Sequence, residues 1–75
     1  MELKEFLEKN PILVKAELAQ QMYPNLSRVI ARNKLNNKLL EIESGTGTQK
    51  LLPHDLESAK QALKILRNNI DEFIK

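Results

Sequence analysis

NLSRVIARNKLNNKL, residues 25–39, holds four basic residues (Arg28, Arg32, Lys34 and Lys38), four asparagines (Asn25, Asn33, Asn36 and Asn37) and no acid. Its apolar residues decide how the chain folds. On a straight helix, Leu26, Val29 and Ile30 fall on one face, while Ala31, Leu35, Leu39 and Ile42 fall on the opposite one. One regular helix over 25–42 cannot bury both sets against a single core. Either residues 25–30 form a turn with its own packing, or the helix is pinched between two elements. We favour a turn at Asn25 to Ser27, with Ser27 as N-cap, followed by a helix to about Leu40. Burial of Ala31, Leu35, Leu39 and Ile42 then turns Asn33, Lys34, Asn36 and Asn37 outward, with Arg32 and Lys38 beside them.

Working outward, helical spacing continues on both sides. Leu3, Phe6 and Leu7 mark a short first helix, which stops before Pro11 because a residue preceding proline avoids helical backbone angles. Ile12, Leu13, Ala16, Leu18, Ala19 and Met22 support a second helix, firmest over Lys15–Met22, and Pro24 ends it in the same way. After the basic segment, ESGTGTQK contains both glycines and reads as a loop. The flanking LLEIE and QKLL can pair as a short hairpin or wing within 40–52. Pro53 starts a last helix, with Asp55 and Glu57 where the helix dipole favours acids. Leu56, Ala59, Leu63, Leu66, Ile70 and Phe73 follow as a heptad-like stripe. That stripe is either the core face of a closing helix or a face for a second copy, with Leu66, Ile70, Phe73 and Ile74 as the dimer contacts. The expected architecture is an all-α bundle of four to five helices in one domain, 1–75.

Bulk properties narrow the function. The chain has 75 residues, 41% hydrophobic, 29% charged, with a net charge of +2. Residues 25–40 carry four positive and no negative charges, whereas the other 59 carry eight positive and ten negative. The positive excess is therefore local, as expected of an anion-binding face. There is no cysteine, which excludes disulfides and thiolate metal sites. The N-terminal MELKEFLEKN lacks a signal-peptide apolar region, and no run approaches the ~18 apolar residues of a membrane span. A cytoplasmic protein is expected.

Other candidate sites are weak. GTGT matches neither G-x-x-x-x-G-K-[ST] nor G-x-G-x-x-G and is expected to be a flexible turn; the secondary reading is a wing that touches a DNA backbone through Thr46, Thr48 or Lys50. His54 is the one histidine and reads as a helix-start residue. Glu2, Glu5 and Glu8 look like a solvated face. No catalytic set, metal site, cofactor or small-molecule substrate is expected.

Residues 15–39, KAELAQQMYPNLSRVIARNKLNNKL, resemble the helix-turn-helix of the lambda-repressor-like family, as found in small phage and bacterial repressors. Leu18 and Ala19 match the Leu-Ala pair of the first helix, with Ala19 where two helices cross closely, and Met22 matches the next buried position. Leu35 to Leu39 resemble the end of a recognition helix, and LPHDLESAKQALKIL resembles the helix that closes the domain. Tyr23 and Pro24 stand where the family has the glycine of its tight turn. The resemblance implies sequence-specific binding of double-stranded DNA in transcriptional control, often as a homodimer. The expected DNA-binding residues are Ser27, Arg28, Arg32, Asn33, Lys34, Asn36, Asn37 and Lys38. Arg28, Arg32 and Lys38 would contact phosphates, and Asn33, Lys34, Asn36 and Asn37 would read bases. The competing expectation is a small protein-interaction module that works through the C-terminal stripe without binding DNA.

Overall fold

The computed structural model describes residues 2–40, 43–44, 47–48 and 50–75. Four helices are present among them: α1 (Leu3–Lys9), α2 (Lys15–Met22), α3 (Arg28–Leu39) and α4 (Pro53–Ile74). The fold is all-α. Its one strand pairing among the described residues is between the two-residue β1 (Glu43–Ser44) and β2 (Gly47–Thr48), antiparallel, with Glu43 opposite Thr48 and Ser44 opposite Gly47. The pairing lies inside the segment expected to be loop. The leucines expected to pair are elsewhere: Leu39 ends α3, and Leu51 and Leu52 lead into α4 without strand structure. The expected core residue Ile42 and the loop residues Gly45 and Thr46 lie outside the described residues.

The helix ends follow from local chemistry. The Asn10 side chain donates to the Phe6 carbonyl at 2.8 Å and its N–H to Leu7, closing α1 before Pro11. Pro11 does not open α2, which begins at Lys15. Pro24 forces the chain out of α2, whose last turn is closed by the Tyr23 N–H on the Ala19 carbonyl. The connection 23–27 is tightened by a Leu26 N–H bond to Tyr23, and Ser27 then caps α3 by accepting the Ile30 N–H at 3.3 Å. Pro53 occupies the first turn of α4, where a missing N–H costs nothing.

The core is made by Leu3 and Leu7 of α1, Leu18, Ala19 and Met22 of α2, Ala31, Leu35 and Leu39 of α3, and Ala59 of α4. Ala19, Ala31 and Leu35 are completely buried. Two small alanines there let helices approach closely, and α2 packs most extensively on α3. The expected opposition of two apolar sets on α3 is settled in a way neither sequence reading anticipated. Leu26 packs against the core, but Val29 and Ile30 remain 61% and 57% exposed.

The molecule is elongated, 49 × 27 × 20 Å. Its Cα radius of gyration of 13.1 Å exceeds the roughly 11 Å of a round chain of this length. The cause is α4. Its first half is held by Ala59, Ala62 and Leu63, whereas every residue from Lys64 to Lys75 is exposed. The apolar stripe is thus core at one end only. No helix among the described residues is long and apolar enough to cross a membrane.

Candidate nucleic-acid interface

α3 buries Ala31, Leu35 and Leu39 and so presents its other face to solvent. Residues four apart align along a helix, which gives three rows. Val29, Asn33 and Asn37 form the middle row, uncharged throughout. Arg28, Arg32 and Asn36 run along one side, and Ile30, Lys34 and Lys38 along the other. Val29, Ile30, Arg32, Asn33 and Lys34 are exposed, while Asn36 and Asn37 are half-buried.

The four cations of this segment occupy four different settings. Arg32 is exposed and, among the described residues, donates to the neighbouring Asn33 side chain at 3.3 Å. Arg28 pairs with Glu17 of α2 at 2.7 Å, both side chains more than half exposed. Such a surface pair is worth about 0–1 kcal/mol and yields readily to a phosphate. The Lys34 ammonium lies 4.5 Å from the centre of the Tyr23 ring, which fixes a flexible side chain without removing its charge. Lys38 is the correction to the sequence reading. Its side chain is 12% exposed and its ammonium donates to the Asp55 carboxylate at 2.7 Å, so it does not belong to the exposed cationic set.

Asp55 is the residue that sequence reasoning missed. It sits in the first turn of α4 as expected, but its burial is complete, which the helix-dipole argument does not anticipate. It accepts from Tyr23 Oη at 2.7 Å, from Lys38 Nζ at 2.7 Å and from the Leu52 N–H at 2.8 Å. The last of these is the reciprocal half of a capping box, since Leu52 has no polar side chain to complete it. Burial by itself would push the Asp55 carboxyl up. The bonds from Lys38, Leu52 and Tyr23, with the charge of Lys38, outweigh it and hold the carboxyl below the usual carboxylate range. Tyr23 moves the opposite way: its burial first, then its bond to Asp55 and the charge there, push the phenol upward. Tyr23, Lys38 and Asp55 together tie the α2–α3 connection, the last turn of α3 and the first turn of α4.

Ser27 serves as N-cap, so its hydroxyl is engaged with the backbone of its own helix. Val29 and Ile30 are additions to the sequence-derived site. Their signal was present as an apolar pair on the face opposite Ala31 and Leu35. His54 is exposed, with Nε2 3.5 Å from Asp55 Oδ1. Among the described residues no group of three His, Asp or Glu side chains is placed to hold a metal ion.

Comparison with family models, curated proteins and solved structures finds no match to this chain. The site's own geometry is therefore what bears on function.

Proposed function

We propose that this protein binds double-stranded DNA by laying α3 in the major groove, and that it acts as a transcriptional regulator. One observation carries the reading: the exposed face of α3 is an uncharged row of Val29, Asn33 and Asn37 between edges that carry Arg28, Arg32 and Lys34, with no acid on the helix. A base-reading helix needs this order of chemistry. The groove floor presents donors, acceptors and thymine methyls, and its walls present phosphates. Asn33 and Asn37 have the amide geometry for a bidentate pair with adenine, and Val29 and Ile30 offer apolar contact to thymine methyls. Arg28, Arg32 and Lys34 reach toward the walls. α3 has no acid in its first turn, so the positive end of its dipole adds to the attraction for phosphate. The resemblance of residues 15–39 to the lambda-repressor-like unit supports the same assignment and its regulatory sense. No cofactor is needed for such binding.

Titration of labelled duplexes over a range of salt tests this. Arg32→Ala is expected to weaken binding to all sequences and to lower the salt slope by about one. An Arg32→Ala/Lys34→Ala double variant that matches the parent at every salt concentration would overturn the reading. The protein-interaction alternative has its own support in the exposed apolar end of α4, where Phe73 and Ile74 are 89% and 69% exposed. It predicts no salt-dependent binding to DNA.

A further inference from the structure

The C-terminal half of α4 projects a row of exposed apolar side chains, Leu66, Ile70 and Phe73, whose cover from the described residues falls away toward Phe73. Beside that row lies a groove of about 510 Å³ between α4, Phe6 of α1 and the 10–13 connection. Phe6, Ile12, Leu13, Leu63, Leu66 and Ile70 give it an apolar floor. Its charged residues are all basic: Lys60, Lys64 and Arg67. The end of α4 has the complementary character, an apolar Phe73 preceded by Asp71 and Glu72. Within one chain the two cannot meet. Phe73 is ten residues beyond Leu63 on the same unbroken helix, roughly 15 Å along its axis.

We infer that two copies of this chain associate through antiparallel pairing of the C-terminal halves of α4, with Phe73 of each copy seated in the basic-rimmed apolar groove of the other. The register follows from the stripe. Setting Leu66 opposite Ile70 of the second copy also sets Leu63 opposite its Phe73, and the relation holds both ways, as a two-fold interface requires. The same register brings Arg67 near Asp71 of the second copy. The overlap runs from about residue 61 to the end of α4, so the pairing is confined to the C-terminal half of the helix and the groove beside it. Two phenylalanines bury about 300–500 Å² between them. Leu63, Leu66, Ile70 and Ile12 of both copies extend that toward the ~1,200 Å² at the lower bound of a stable interface. The inference stands apart from the DNA reading, since it rests on no residue of α3.

Sedimentation of the full chain from 1 to 200 μM tests it. The parent is expected to show a monomer–dimer equilibrium. Phe73→Glu, at an exposed helix end, is expected to keep the parent's circular dichroism and melting temperature while raising the dimer dissociation constant more than about tenfold. Arg67→Glu should also weaken the dimer, and Arg67→Glu with Asp71→Arg in the same chain should restore it. A parent that stays monomeric at 200 μM, a Phe73→Glu variant that dimerises like the parent, or one that loses its fold would each overturn the inference. So would a charge-reversed double variant no stronger than Arg67→Glu alone.

Discussion

At the N-terminal end of α3, Val29 and Ile30 stand in solvent and Arg28 holds a surface pair with Glu17. At the C-terminal end of the same helix, Lys38 is sunk against a completely buried Asp55 and braced by Tyr23. The two ends have similar composition, yet one is available to a partner and the other is part of the frame. The difference teaches that a basic segment is not a unit of function. What each charge packs beside decides its role. Lys38 and Arg32 each lie three residues from Leu35 and seven from another buried residue of α3, Ala31 or Leu39, so spacing alone does not separate them. Lys38 meets Asp55 at the start of α4, whereas Arg32 is exposed.

The sharpest way to break this contrast is at Asp55. Asp55→Ala removes the shared acceptor of three donors and leaves the Lys38 ammonium nearly buried without a counter-charge. A loss of about 3–5 kcal/mol is expected in chemical denaturation. That is a large share of the total for a domain stable by ~0.05–0.15 kcal/mol per residue. Lys38→Ala should likewise lower the melting temperature, whereas Arg32→Ala should leave it unchanged. If Lys38→Ala and Arg32→Ala melt alike, the frame and the free end are not distinct.

Acid sharpens the same point. The folded state holds the Asp55 carboxyl below its ordinary range, so its contribution is fully present above the unfolded value near ~3.9. The contribution is lost as pH falls from there through the lower folded value. The urea midpoint of the parent should therefore drop on acidification below about pH 4, with a component that Asp55→Asn lacks. Parallel pH profiles for the two proteins would remove Asp55 from the frame.

Next in size is an effect confined to the free end. Asn33→Ala should cost about 1–3 kcal/mol on a preferred DNA site, and little on random DNA or in stability. An unchanged site preference would take Asn33 off the groove floor. Ser27→Ala should cost about 1 kcal/mol of stability through loss of the cap, measured by thermal melting. The smallest change expected is in stability on Arg28→Ala, within about 0–1 kcal/mol, because its partner is as exposed as itself.

Much of this frame is legible in the amino-acid sequence. The prolines at 11, 24 and 53 and the spacing of Leu18, Ala19 and Met22 delimit α2 as Lys15–Met22 and start α4 at Pro53, and Ser27 announces the cap of α3. These are local effects, each settled within one turn of chain. What was hidden depends on residues far apart. The burial of Asp55 follows from Tyr23 and Lys38, which lie 32 and 17 residues away, and no local pattern marks an acid in a first turn as a core residue. The exposure of Val29 and Ile30 runs against a hydrophobicity argument, which expects such residues to be covered. The stripe of α4 was legible as a stripe, but where its cover stops is set by the size of the body beneath it.

The polar knot at Asp55 also makes a statement about motion. Two of its three donors, Tyr23 and Lys38, come from other parts of the chain, so both of these contacts are lost if the start of α4 pulls away, while the Leu52 bond is local and travels with Asp55. The start of α4 should therefore open together with the end of α3, and core amides such as that of the completely buried Leu35 should exchange with solvent only when the body opens. The amides of the last turns of α4 have no such tether, and in the isolated chain should exchange through fraying alone. The protein would thus have one cooperative block ending near Leu63 and, beyond it, a helix that keeps its own time.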